Sequence, residues 1–290
     1  MAVPTILRPR RSALFMPAIN ARALEKARSL PADAILIDLE DSVGPELKEA
    51  ARANAVRAIA EGGFGRREIV VRCNGLDTPW AADDLAALAA AMPDGVLVPK
   101  VSCIEDIAAA RAAMPGGPAL WLMIETAAAV LALPEIAAAS RRHGVAAWVL
   151  GTNDLGKELR TRPGHVRQTI APVFPLVLAA ARTAGVSLLD SVYNDFADTE
   201  GFARECMEGA DMGLDGKSLI HPSQVAPANA AFQPTAREVK GARAIVAAFA
   251  RPENDGAGVI NVDGRMVERL HLEQAETLLA IAAAVEEAAG

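Results

Sequence analysis

Aromatic residues are scarce in this chain of 290 residues. There are one tyrosine, three tryptophans and seven phenylalanines, 4% in all. The core must therefore be built from aliphatic side chains and alanine-rich helix faces. Cysteine is also sparse: Cys73, Cys103 and Cys206, with no CxxC spacing. That excludes a disulfide framework and reads as reduced thiols in a cytoplasmic protein. The four histidines, His143, His165, His221 and His271, share no ligand spacing, which argues against zinc. Basic charge is not in excess. The net charge is −7 and the pI about 5.3, without the basic stripe that a nucleic-acid partner would demand. No uncharged apolar run reaches the roughly 18 residues that span a bilayer, so no membrane partner is expected. No secretory h-region opens the chain; residues 1–11 are rich in proline and arginine. Three motifs are missing as well: G-x-S-x-G, the G-x-G-x-x-G that follows a strand, and the Walker A sequence. Their absence argues against an elbow serine, a dinucleotide fold and a P-loop.

What is present is a repeated unit, an apolar run followed by a helical pattern. Runs occupy Ser12–Pro17 and residues 34–40, 69–74, 96–101, 120–125, 146–151, 186–192 and 212–215. Alanine-rich helical stretches follow several of them, at 20–29, 46–60, 80–91 and 104–114. Alternation of this kind implies parallel strands with crossover helices, and eight units fit a TIM (β/α)8 barrel better than an open sheet. The eighth run is the weakest, because glycine and aspartate interrupt it. Residues 1–225 are assigned to the barrel and 226–290 to a C-terminal helix–hairpin–helix extension serving as lid or oligomer contact. In the extension, Thr235 N-caps a helix over 235–250, Asp263-Gly264 marks a hairpin, and a last helix covers about 272–289.

TIM barrels carry their active sites at the carboxyl ends of the strands. Here those ends supply Glu40 and Asp41, Arg72 and Asn74, Lys100, Glu125, Asp154 just beyond the sixth run, and Asp190. Glu125 and Asp154 make a hard oxygen site suited to Mg²⁺, which takes one or two carboxylates and completes its shell with substrate and water. The competing reading is that these acids only form ion pairs with Arg72 and Lys100 across the barrel mouth. Arg72 suits a carboxylate or a developing oxyanion, and equally a buried salt bridge to Glu40 or Asp41. Gly151-Thr152-Asn153-Asp154 places small residues and backbone N–H groups beside the proposed metal, a cradle for a carboxylate. Lys100 raises the question of a Schiff base; the acids nearby hold its pKa high and argue against it.

The segments Arg11-Ser12-Ala13-Leu14-Phe15-Met16-Pro17, Asp38-Leu39-Glu40-Asp41-Ser42-Val43, Val71-Arg72-Cys73-Asn74, Pro99-Lys100-Val101, Ile124-Glu125-Thr126, Gly151-Thr152-Asn153-Asp154-Leu155 and Gly216-Lys217-Ser218-Leu219-Ile220-His221-Pro222 occur in this order. Together they resemble the citrate lyase β-subunit–like branch of the HpcH/HpaI aldolase superfamily, from about Arg11 to the C-terminus. The resemblance implies a TIM barrel with a C-terminal extension, assembled as a homotrimer or hexamer. It implies a lyase that breaks or forms a carbon–carbon bond between an acyl-coenzyme A thioester and a 2-oxo acid, as with malyl-, methylmalyl- and citramalyl-CoA. By motif, Glu125 and Asp154 become Mg²⁺ ligands and Arg72 stabilises the thioester enolate. Gly151, Thr152, Asn153 and Asp154 hold the 2-oxo acid carboxylate, while Glu40 and Asp41 position Arg72 and metal-bound water. Arg11 and Lys26 become contacts for coenzyme A phosphates.

Two departures bear on the branch. The pyruvate-aldolase branch relies on a histidine near the strand-two acid; none stands there, which favours thioester chemistry. The relatives' C-terminal aspartate is replaced in Gly264-Arg265-Met266-Val267-Glu268 by Glu268, read either as a base acting in a neighbouring subunit or as a surface acid. Two further functions stay open. One is a citrate lyase β-subunit acting on a carrier-protein thioester within a complex. The other is a non-catalytic barrel that binds acyl-CoA.

Overall fold

The computed structural model describes residues 8–289. The chain divides into two compact units, one covering Arg10–Phe232 and the other beginning at Gln233. In the first, β1 (Ser12–Pro17) leads to α1 (Ala21–Ala27), β2 (Ala34–Asp38) to α2 (Lys48–Glu61), β3 (Glu68–Arg72) to α3 (Ala81–Ala91), and β4 (Gly95–Val98) to α4 (Ile104–Ala113). Then β5 (Ala119–Ile124) is followed by α5 (Ala127–Leu131) and α6 (Leu133–His143), and β6 (Val145–Leu150) by α7 (Thr152–Glu158), α8 (Val166–Ile170) and α9 (Val173–Ala184). Finally β7 (Ser187–Asp190) precedes α10 (Thr199–Met212), and β8 (Gly216–Leu219) precedes α11 (Val225–Ala231). The eight strands are parallel, neighbour one another in chain order, and close through β1 and β8. This is the expected TIM barrel.

Alternation along each strand sorts the side chains into two layers. Ala13, Leu36, Val70, Leu97, Trp121, Val149 and Leu189 fill the barrel interior. Their neighbours Leu14, Ile35, Val71, Val98, Leu122 and Trp148 pack outward against the helices. Trp121 supplies the bulk that the other interior residues lack. Gly95 makes room for it, since a Cβ there would lie 3.1 Å from the indole.

The eighth strand lies four residues beyond the run expected at 212–215. Met212 ends α10 and Gly213 caps it in the left-handed conformation, φ 96°. The true strand, Gly216–Leu219, hides a fully buried lysine, which disguises it as a loop. Lys217 Nζ is neutralised by Asp190 at 2.9 Å and Glu205 at 2.7 Å. The barrel unit also runs past residue 225, because α11 packs on β1, β8 and α10, and Ser12 Oγ donates to Asn229 Oδ1 at 2.7 Å.

The second unit holds α12 (Ala236–Phe249), the antiparallel pair β9 (Val259–Val262) and β10 (Arg265–Glu268), and α13 (Arg269–Ala289). Thr235 caps α12 in a reciprocal box with Glu238. Asp263 (φ 50°) and Gly264 (φ 80°) both take positive φ, the signature of a type I′ hairpin turn. Phe249, Ile260 and Val267 form the small core of this unit. Among the described residues no helix is long and apolar enough to cross a membrane.

The amino-terminal mouth of the barrel is plugged by Arg10. Its guanidinium grips Glu68 bidentately at 2.8 and 2.9 Å and donates to Ala146 O and Ser187 Oγ, both at 3.0 Å. It also lies 4.9 Å from the Trp121 ring centroid. One residue thus ties β3, β6 and β7 together. Removing one partner strands a buried charge, so Glu68→Gln should cost about 3–5 kcal/mol in urea denaturation. The paired exchange Arg10→Met with Glu68→Leu should recover most of that loss, and a double mutant as unstable as the single one would contradict the account.

Candidate active site

The inward parity of each strand, carried one step past the barrel core, selects the site. Asp38 follows Leu36, Arg72 follows Val70, Glu125 follows Met123, Gly151 follows Val149, and Ser191 follows Leu189. Asp38 and Arg72 stand opposite each other in the β2–β3 register.

Arg72 is the hub of this layer. Its Nε and Nη2 bond Asp38 at 2.6 and 2.8 Å, while Nη1 lies 2.9 Å from Glu40 and donates to Asp41 at 3.1 Å. The guanidinium also stacks 4.9 Å from the Phe15 ring centroid. Burial opposes its charge, but the Asp38 hydrogen bonds and three nearby carboxylates outweigh it, so Arg72 stays protonated. Burial likewise works to raise the pKa of Asp38, yet the Arg72 bonds and charge prevail and hold it below the usual carboxylate range. Glu40 and Asp41 were the partners expected for Arg72. Both are present, but Asp38 makes the bidentate bond and was not assigned a role. It also accepts the N–H groups of Glu40 (2.9 Å) and Ser42 (3.1 Å), so one carboxylate orders the whole acidic loop. From beneath, the buried Lys48 donates to the carbonyls of Leu39 and Glu40, each at 2.8 Å. Asn74 is fixed by Asp84, which accepts from its N–H (3.0 Å) and Nδ2 (2.6 Å) and pairs with Arg52 at 2.7 Å.

Lys100 reaches Glu40 Oε1 at 2.5 Å. Burial works against its charge, but the hydrogen bond and charge of Glu40 raise its pKa above the usual value, opposite to what an amine nucleophile needs. Burial dominates at Glu40 itself, whose pKa rises despite Arg72 and Lys100. Lys100 adopts a left-handed backbone, φ 54°, and its N–H thereby meets Glu125 Oε1 at 2.8 Å.

Glu125 is almost completely buried, and its Oε2 has no hydrogen-bond partner. Burial, with repulsion from Glu40 and Asp154, pushes its pKa up to about 8. Gly151 is required beside it, because a Cβ at that position would collide with Glu125 Oε2. Asp154 is partly buried and lines two cavities, of about 400 and 610 Å³. The smaller cavity is also lined by Arg72 and by Gly151, Thr152 and Asn153; the larger reaches Glu125 and Lys100. Asp38, Glu40, Asp41, Glu125 and Asp154 thus outnumber the described cations around them, Arg72 and Lys100 in the site, Lys48 beneath it and Lys157 on the wall of the larger cavity. An orphaned buried oxygen in such a deficit fits a hard divalent cation held by Glu125 and Asp154. No cluster of three His, Cys, Asp or Glu ligands occurs among the described residues, so water and substrate would complete the shell.

The cradle residues divide in two. Thr152 Oγ1 donates to Ser191 Oγ at 2.8 Å and is buried, whereas Asn153 is exposed and exchanges amide hydrogen bonds with Asn194 at 3.2 and 2.9 Å. Two expected contacts for coenzyme A phosphates lie elsewhere. Arg11 precedes β1, at the amino-terminal face opposite the site, and is buried in a bidentate pair with Asp33 at 2.8 and 2.7 Å. Its charge is taken up in joining β1 to the start of β2. Lys26 is exposed in the last turn of α1 and lines neither cavity. Glu268 ends β10 in the second unit, where its N–H donates to His271 Nδ1 at 2.9 Å.

The model of the HpcH/HpaI aldolase/citrate lyase family matches residues 11–222. A (3S)-malyl-CoA thioesterase of Cereibacter sphaeroides is 45% identical over 277 residues, 96% of each chain. An L-malyl-CoA/β-methylmalyl-CoA lyase of the same species is 34% identical over 95% of each. Among solved structures, the protein CitE of Mycobacterium tuberculosis in complex with magnesium, acetoacetate and coenzyme A superimposes with a TM-score of 0.77. It is 30% identical, covering 96% of this chain and 100% of that one. Strand order, the layer of acids above the barrel core and the span of the match agree: this chain belongs to the HpcH/HpaI aldolase/citrate lyase family.

Proposed function

We propose that the chain is a Mg²⁺-dependent lyase that cleaves or forms a 3-hydroxyacyl-CoA thioester of the malyl, methylmalyl or citramalyl type, working as a homotrimer or hexamer. The observation that carries this reading is the unpartnered, buried Oε2 of Glu125 beside Asp154, in a mouth rich in acids and governed by Arg72. Bound Mg²⁺ would supply Lewis acidity to the hydroxyl and carboxylate of the substrate. The protein's own part is to place charge. Arg72, locked in plane by Asp38, presents a permanent cation to the thioester oxygen as negative charge develops there, with no reorganisation during the reaction. Glu40 and Asp41 keep Arg72 and nearby water in place. The backbone around Gly151, Thr152, Asn153 and Asp154 receives the carboxylate of the 2-oxo acid. Glu268 of a neighbouring subunit takes the acyl proton in the direction of condensation.

A second reading has a specific observation behind it, the 45% identity to a malyl-CoA thioesterase over nearly the whole chain. Hydrolysis would use the same substrate but leave the carbon–carbon bond intact. The products decide. Purified chain incubated with (3S)-malyl-CoA and Mg²⁺ should yield glyoxylate and acetyl-CoA without free thiol. Malate with free coenzyme A would establish the thioesterase instead. Turnover of a CoA thioester by the chain alone also excludes an obligate carrier-protein complex and a silent binding barrel.

Three outcomes are expected beyond product identity. EDTA should abolish turnover and Glu125→Gln should lower kcat by at least about 10²-fold; activity that survives both would sink the metal reading. Asp38→Asn should reduce kcat/KM by about 10–100-fold, less than the 10²–10³-fold expected for Arg72→Met, as measured by steady-state kinetics. With Glu125 raised to about 8, a proton competes with the cation below that pH. Mg²⁺ affinity should therefore fall by up to about tenfold per unit as pH drops from 8 to 6, and a flat calorimetric titration across that range would contradict it.

A further inference from the structure

The geometry points to a buried clamp in which Asp190 and Ser191, adjacent at the end of β7, pin both ends of the segment that carries Asp154. Ser191 and Arg167 are then positioning residues. At the near end, Thr152, the first residue of α7, bonds Ser191 Oγ through its hydroxyl at 2.8 Å. At the far end, Arg167 in α8 donates from Nη1 to both Asp190 oxygens, at 3.2 and 3.1 Å. Asp190 is completely buried and also accepts the Ser191 N–H at 2.8 Å. The carboxylate that receives Arg167 thus orients the peptide that holds Thr152.

Between the pins, residues 157–165 are exposed apart from the half-buried Thr161, and Glu158 ties them to the start of α5 by accepting the Ala127 N–H at 3.0 Å. Within the segment, packing is tight. A Cβ on Gly156 would lie 2.9 Å from the Val166 methyls, and the Thr161 N–H donates to Gly156 O at 2.8 Å. The segment therefore holds together as one body; Leu155 seats it in the core and Asn153 pairs with Asn194, while Thr152 and Arg167 supply its buried polar pins. Mg²⁺ demands near-ideal ligand geometry, so a loosened segment loses metal affinity first.

Arg167→Met removes the guanidinium that lies over Phe174 and pairs with Asp190, Glu205 and Glu208, and it leaves Asp190 and Glu205 sharing Lys217, so Asp190 keeps one cation. Hydrogen exchange should rise at least tenfold across residues 152–166, with the rest of the barrel within twofold of wild type. The dissociation constant for Mn²⁺, read by electron paramagnetic resonance, should rise about tenfold while kcat at saturating metal stays within threefold. Ser191→Ala releases the other end and should reproduce both effects; it carries the test if Arg167→Met does not fold. Arg167→Lys should restore part of the protection. Unchanged exchange in both variants, or a rise spread evenly over the barrel, overturns the clamp. The metal arm alone rests on the proposed role of Asp154. If wild type binds no Mn²⁺ while the exchange pattern appears, that reading fails and the clamp stands.

Discussion

The bidentate pairing of Arg72 with Asp38 is the constraint on which the rest of the site depends. The two residues stand opposite in the β2–β3 register, both inward, one layer above the barrel core. A buried guanidinium is tolerable only with anionic partners, and buried carboxylates only with a cation. Once Arg72 is fixed by Asp38, it can hold Glu40 and Asp41 at its outer nitrogen. Glu40 in turn holds Lys100, and the Lys100 backbone holds Glu125. The chain of contacts runs across four strand ends and leaves Glu125 Oε2 buried with neither a hydrogen bond nor an ion pair.

That unpartnered oxygen carries the proposed chemistry. Arg72 or Lys100 pairs with Asp38, Glu40 and Asp41, whereas burial and neighbouring acids make ionisation of Glu125 unfavourable and push its pKa up to about 8. The site is therefore organised by cations from within, and the proposed Mg²⁺ would complete it from outside. Rigid support makes this useful: Lys48 and Asp84 hold the loops after β2 and β3 from below, and Gly151 leaves space for the Glu125 carboxylate. The opposite end of the barrel needs no such openness. There Arg10 and Glu68 form a bidentate pair, with Ala146 O and Ser187 Oγ taking the other Arg10 donor, and the charges serve stability.

Legibility in the sequence followed side-chain parity and failed where charge was buried for structural reasons. The acids at the ends of β2 and β5 were visible because each closes an uninterrupted apolar run. Asp38 was in view but unassigned, since its partner became clear only when β2 and β3 were placed in register. β8 was misplaced because Lys217 contradicts the rule that central strands are apolar, and only Asp190 and Glu205 across the fold make it tolerable. Arg11 was read as a ligand contact for the converse reason. An arginine near a family motif looks available until Asp33 is seen to occupy it.

By itself the sequence determined the barrel and the hairpin extension, and it placed at the strand ends the acids on which the proposed metal chemistry rests. Those features rest on local periodicity and on residue types, which are properties of the chain in one dimension. Tertiary structure alone decided which charges are spent on one another and which remain for a ligand. Pairing is set by register and barrel closure, which bring Asp38 to Arg72, Lys100 to Glu125 and Arg167 to Asp190 from distant parts of the chain.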